Sequence, residues 1–411
     1  MARGIPFLGG RARRYAGAAL LLGSAVSLMI LSPVPAGAAT RPNTASRETP
    51  RGAVTVSDSL SSVAVVPRSK EVVAVGAVYG STSAGSLIET WTGSRWVQTA
   101  TPKLPAGVTF PQLTSVWAAS ASDAWAVGAG TKGSLPAPIL LHFDGKAWAN
   151  ASVPRLPAGA AFSAVGGSSA DNLWAVGTII TNPTTYVGKP FEAHFNGKAW
   201  SVSEVGPAGG TIASISVVSA QDAWAIGGVF SPTKNTPFIL HFNGTRWLNV
   251  SAPIPAGSYL QAVSAKGTAV WISGDTVKGS SITAAYFLHL SGSRWLRLAA
   301  PKGVSTGVRA LTTVSSDVVW AVASTATGVV SAEYASGHFT VTKLPVAGNG
   351  PSVAAMAGSS SSDLWVVGGY WTGKICGSNE LAVSYHHTSS WMIARMPFVK
   401  TAAAPALSPR C

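Results

Sequence analysis

Ser122-Asp123-Ala124-Trp125-Ala126-Val127-Gly128 decides the fold of this chain, because close variants of it return at a nearly constant distance. Its tryptophan recurs as Trp174, Trp224, Trp271, Trp320 and Trp365, with Val73 in that place in the first copy. The steps from Trp125 onward are 49, 50, 47, 49 and 45 residues. A second block follows each first block and is written most fully as His194-Phe195-Asn196-Gly197-Lys198-Ala199-Trp200. Its tryptophan stands at Trp96, Trp148, Trp200, Trp247, Trp295 and Trp391, and Phe339 takes the place in copy six. Seven copies of 45 to 50 residues built of short strand signals imply an all-β fold, a seven-bladed β-propeller of four-stranded antiparallel blades.

Copy four shows how one repeat becomes one blade. Apolar runs predict strands over 212–218, 223–228, 238–242 and 245–251, with Ser219-Ala220-Gln221-Asp222 as the first corner. Asn243-Gly244 has the composition of a type I′ hairpin turn, which needs positive φ at both central residues. The Pro253-Ile254-Pro255-Ala256-Gly257 segment then carries the chain back to the centre. Side chains alternate along a strand, so Trp224 and Ile226 share one face and Ala223, Ala225 and Gly227 the other. A large face against a small face lets neighbouring blades interlock, and this makes the repeated tryptophans core residues. Blade one is expected to open with its own strand, 60–66, and blade seven to end with its own, 391–396, so closure needs no strand exchange.

The chain begins as an export signal. Arg3, Arg11, Arg13 and Arg14 precede the apolar run 16–31, and Ala36-Gly37-Ala38 has the small-x-small form of a cleavage site. The expected organisation is a signal peptide over 1–38, a disordered lead over 39–54, the propeller over 55–400 and a tail over 401–411. No second apolar span follows, so the mature protein is expected without a transmembrane anchor, secreted and extracellular or wall-associated, and monomeric. An apolar share of 47% with only 11% charged residues suits blades buried on both faces. Without the four leading arginines, 25 basic residues face 15 acidic ones, a net charge near +10. In an oxidising compartment Cys376 and Cys411 are able to pair and tie the tail to the last blade; two free thiols are the alternative.

Asp123, Asp171, Asp222, Asp317 and Asp363 recur at the first corner, where aspartate can accept backbone N–H groups as an Asx-turn. His142, His194, His241 and His289 recur about 50 residues apart, on different blades, too dispersed for a metal site. Residues repeated blade after blade are expected to be scaffold, since chemistry needs its residues once. The repeats resemble kelch-type propellers, including the central domain of galactose-oxidase-like proteins. Gly227-Gly228 and Gly368-Gly369 look like the kelch double glycine, and Phe242 with Trp247 follows the kelch aromatic order, over roughly residues 55 to 400. Most copies keep one glycine only, and His-Phe replaces the usual third-strand tyrosine. A copper-radical site of the galactose-oxidase kind would need a tyrosine cross-linked to cysteine, which two cysteines in a late loop and at the end do not supply. No zinc spacing, phosphate loop or supported Ser-His-Asp set occurs, so no cofactor and no metal are expected. Asp275 and Glu380 are the loop carboxylates outside the repeat positions.

In a four-stranded meander, the second-to-third loops and the blade-to-blade crossings emerge on one face. That face receives Lys132, Lys189, Lys234, Lys278 and Lys374 from loops and Lys103, Arg155, Lys302 and Lys343 from crossings. Only Glu204, Asp275 and Glu380 oppose them, and Tyr79, Tyr186, Phe230, Tyr370 and Trp371 add aromatic surface. A basic, aromatic face outside the cell suits an anionic glycan or cell-wall polymer, with Lys189, Lys278, Lys374, Tyr370 and Trp371 as the expected contacts. Scattered lysines that merely solvate loops, or a protein partner, are the plainer readings. Nucleic acid is not expected, because no recognition element accompanies the charge. The favoured function is a non-catalytic binding module; the alternative is a carbohydrate-active enzyme, hydrolase or oxidase, on the same scaffold.

Overall fold

In a computed structural model of the chain, residues 57–394 are described except 80–83, 154, 183–187, 232–234, 279–280, 305–306, 326–327, 347–348, 372–382 and 388–389. At 57, 349–350, 370–371 and 383–387 the backbone alone is described. The described strands form seven four-stranded antiparallel sheets, each running in chain order from its first to its fourth strand. These blades span 57–98, 109–150, 160–204, 210–250, 259–299, 308–343 and 349–393. Side chains are described on all four strands of six blades; the seventh has backbone alone in its third strand. The first strand of every blade packs against the first strand of the next, and Ser57–Val65 of blade 1 closes on Asn349–Ser360 of blade 7. First strands therefore ring a central axis, which makes the fold a β-propeller. Each blade uses only its own consecutive strands, so closure exchanges none.

The glycine of Trp-Ala-Val-Gly follows from one backbone device. All seven first strands carry a β-bulge at the same place, with Ser61, Thr114, Ser163, Ala213, Gln261, Arg309 and Ala354 as the extra residues. The bulge drives a first-strand carbonyl against the second strand. A Cβ on Gly76, Gly128, Gly177, Gly227 or Gly368 would lie 1.9–2.0 Å from that oxygen. Only a residue without a side chain fits such an approach. Blade 6 departs from the rule with Ala323 in the equivalent position.

The two repeated blocks meet across blade boundaries rather than within a blade. The first-block tryptophan of one blade meets the second-block tryptophan of the next edge to face. The pairs are Trp125–Trp200 at 5.6 Å, Trp224–Trp295 at 5.9 Å, Trp320–Trp391 at 6.1 Å and, across the closure, Trp365–Trp96 at 5.5 Å. The expected alternation is observed. Trp224 and Ile226 pack toward Val270 and Ile272 of blade 5, while Ala225 packs under Trp174 of blade 3. Blade 1 has Val73 in place of the tryptophan, and there Trp148 of blade 2 packs into the cluster that holds Val73. Serines latch the inner ring as well: Ser62, Ser115, Ser264 and Ser324 accept the N–H of Val116, Val165, Thr313 and Val353 in the following blade.

Several local expectations need correction. In blade 4 the strands run Gly210–Ser219, Asp222–Phe230, Asn235–Phe242 and Trp247–Val250. The fourth starts later than expected because Thr245 and Arg246 donate their N–H groups to Asn243 Oδ1. Positive φ falls on Gly244 alone of the expected Asn-Gly pair, so the asparagine caps the turn with its side chain and the type I′ expectation fails. The terminal strands are Ser57–Val65 and Ser390–Ile393, against 60–66 and 391–396 expected. The first corners are capped by serine, not aspartate: Ser120, Ser219, Ser315 and Ser360 accept the N–H two residues on.

The corner aspartates instead reach across their blade. Asp123 Oδ1 lies 2.9 Å from His142 Nε2, and Asp222 Oδ1 lies 3.0 Å from His241 Nε2. In blade 3 that role belongs to Asn172, 3.0 Å from His194, and not to Asp171. Each of these histidines stacks on the tryptophan of its own blade, with ring centroids 4.0–4.2 Å apart. His289 stacks on Trp271 in the same way, at 3.9 Å.

Candidate ligand-binding face

Crossings from blade to blade enter through one recurring turn. The N–H groups of Val108, Ala160, Gly210, Ser258 and Val304 bond to the carbonyls of Pro105, Pro157, Pro207, Pro255 and Pro301. Gly107, Gly159, Gly209, Gly257 and Gly303 take the positive φ that the third position of a type II turn requires. These turns, with the ends of the second strands, build the face on which the sequence places its basic residues.

Lys103, Lys132, Arg155, Lys278, Lys302 and Lys343 are exposed there, and among the described residues none of them forms an ion pair. Lys189 is exposed on the third strand of blade 3 and is paired with Glu204 at 2.9 Å. Lys278 ends the second strand of blade 5, so blade 4 separates it from Lys189. Tyr370 and Trp371 end the second strand of blade 7 by backbone. Lys374, Lys234, Tyr186, Glu380, Cys376 and Cys411 lie outside the described residues, as do the expected signal, lead and tail. Phe230 is half-buried and stacks on Tyr259 across the blade 4–5 boundary, centroids 5.5 Å apart.

Asp275 is not a loop carboxylate. It lies inside the second strand of blade 5 and is fully buried. Its Oδ1 accepts the Gly307 N–H at 2.9 Å and its Oδ2 accepts Gln261 Nε2 at 2.8 Å, which ties blade 5 to the start of blade 6. Burial raises its pKa; the Gly307 and Gln261 hydrogen bonds and the Arg309 charge work in the other direction. A carboxylate with both oxygens engaged in the inter-blade packing is placed to hold blades together rather than to attack or protonate a substrate. Nothing in the local sequence Ser273-Gly274-Asp275-Thr276 distinguishes the two roles; the bulge that delivers Gln261 does.

One feature of the face escapes the sequence reading altogether. From the turn glycine to the core residue before the bulge there are three steps in blades 3, 4 and 5 (Gly159 to Phe162, Gly209 to Ile212, Gly257 to Leu260). In blade 2 there are six, Gly107 to Leu113, and the register breaks between Thr109 and Gln112. Phe110 sits in that insertion with φ +48° and is 58% exposed. The signal available was the spacing, which the periodicity of the tryptophans masks.

No known protein family matches the sequence, and no curated protein matches it. Solved structures do. A polysaccharide lyase of the PL25 ulvan lyase family superposes with a TM-score of 0.54 at 9% identity, covering 84% of this chain and 99% of that one. YCF48 bound to D1 peptide superposes at 0.50 with 14% identity, covering 78% and 95%. The six-bladed fucose lectin of the fungus Aleuria aurantia superposes at 0.44 with 11% identity, covering 86% and 98%. At such identities the likeness is one of fold.

Proposed function

We propose that this chain is a secreted, monomeric, non-catalytic propeller with kelch-like repeats, which binds an anionic glycan or cell-wall polymer on the face of the second-to-third loops. The observation that carries the proposal is the state of the charges on that face. Of the described acidic groups there, Glu204 is spent on Lys189, Asp275 in the core, and Asp58 is buried at the start of blade 1. The six exposed cations keep no acidic partner among the described residues, so the field above the face is positive and attracts polyanions. Lys189, Lys278, Lys374, Tyr370 and Trp371 remain the proposed contacts, and a Cys376–Cys411 disulfide the proposed brace of the last blade. Solved propeller structures similar to this chain include one solved with a bound peptide and a polysaccharide lyase, so ligands on this fold span both polymer classes.

Co-sedimentation of the purified full chain with isolated bacterial cell envelope, at low and high salt, tests this. Binding that is lost at high salt, and weakened by Lys132→Glu with Lys278→Glu and Lys343→Glu, is expected. Binding that ignores both salt and charge reversal, or none at low salt, overturns the proposal.

A further inference from the structure

We propose that Phe110 is a stacking platform for one sugar ring of an acidic polysaccharide on the basic face, with Lys132 taking the charge of a neighbouring carboxylate. The inference rests on the reading that this face binds an anionic glycan, and it deepens that reading to a residue and a subsite.

Phe110 is the most exposed large apolar residue described. It stands where the first strand of blade 2 leaves its crossing, so it rims the axis on the basic face. Its backbone holds φ +48°, a region that a phenylalanine adopts only when its surroundings impose it. Three contacts hold the residues just before it. Thr109 Oγ1 donates to the Thr131 carbonyl at 3.2 Å. The Val108 side chain fills the space above Gly130, where a Cβ would lie 2.5 Å from Val108 Cγ1. The Lys132 stem crosses Gly107, with Cε 3.7 Å from where a Cβ would be. An insertion pinned at three points therefore presents an aromatic ring to solvent, with the stem of the unpaired Lys132 lying over the turn that precedes it.

A sugar ring fits this chemistry better than a protein does. Of the other exposed large apolar residues described, Val97, Met392 and Ile393 lie on the fourth strands of blades 1 and 7, and Tyr79 shares the face. A protein interface needs a contiguous apolar core, which Phe110 and Tyr79 alone, the two exposed large apolar side chains described on this face, do not make. A single pyranose needs one aromatic face, whose negative π-surface attracts the ring's C–H groups.

Binding of the full chain to two probes decides the matter. Polygalacturonate offers sugar rings and carboxylates; inorganic polyphosphate offers charge without rings. Phe110→Asn is expected to weaken polygalacturonate binding about tenfold and leave polyphosphate within about twofold. Lys132→Glu is expected to weaken both. Asparagine tolerates positive φ, so the melting temperature of Phe110→Asn is expected to equal or exceed that of the parent. Unchanged polygalacturonate affinity in Phe110→Asn, an equal loss on both probes, or a fall in melting temperature with the loss overturns the platform. Parent binding to polyphosphate alone overturns the platform and spares the charged face. Parent binding to neither probe overturns both.

Discussion

At the scale of single residues, the repeat is most informative where one copy breaks it. Glu89 occupies a third-strand position filled by Leu141, Ala193, Leu240, Leu288 and Ala332 in blades 2 to 6. It is fully buried, and among the described residues neither carboxyl oxygen has a hydrogen-bond partner. Burial, and secondarily the Asp58 charge, push its pKa from 4.5 up to about 8. The folded state thus holds a proton that the unfolded chain has released, and stability is complete below 4.5 and lost as pH rises toward 8. Glu89→Gln should therefore stabilise the protein, by an amount that grows with pH by up to about 1.4 kcal/mol per unit across that window and then levels off. Urea titrations at pH 5, 7 and 9 check this; a pH-independent gain would mean that Glu89 stays ionised in the fold. The bulge glycine supplies a second case. Gly128→Ala, which sets a methyl against the Gln112 carbonyl, should cost about 2–3 kcal/mol in the same titration.

At the scale of the element, the blade is held by a three-part stack that recurs in its second and third strands. The Asp123–His142–Trp125 arrangement places imidazole flat on indole and ties it to a carboxylate at the strand start. In blade 3 the partner is the Asn172 amide, and burial lowers the His194 pKa below its usual 6.5. His289 is lowered for the same reason, with Asp317 opposing. The folded protein resists protonating these two rings, so their contribution is complete above 6.5 and shrinks as pH falls through it. This contribution should therefore drop between pH 7.5 and 5.5, opposite to the Glu89 trend, so in a Glu89→Gln background His194→Gln should lose less over that interval than its own parent. Equal losses would place the acid sensitivity elsewhere.

At the scale of the molecule, each blade is stabilised by its neighbours, and the ring has one seam between its first and last members. Trp365 meets both Trp91 and Trp96 there, with centroids 5.2 and 5.5 Å apart. Trp365→Ala should cost about 3–5 kcal/mol. Because neighbouring blades bury the same surface, the loss should lower one cooperative thermal transition. Calorimetry that instead shows a separate early transition would mean that the seam opens independently of the ring.

By itself the sequence determined the repeat, its strand content, the burial of Trp125, Trp174, Trp224, Trp271, Trp320 and Trp365, and the large-against-small alternation of blade faces. These are periodic properties, and periodicity survives in one dimension. Only the tertiary structure decided that the glycine of each first block answers a bulge in another strand, and that His142 belongs with Asp123. It also decided that Asp275 is an inter-blade tie, not a loop acid. Each of these depends on which atoms approach across strands 14 to 32 residues apart, a distance that no local pattern encodes. Phe110 lies between the two cases. Its insertion can be counted in the sequence, but its exposure and its φ appear only in the fold, where Thr131, Gly130 and Lys132 hold the residues before it.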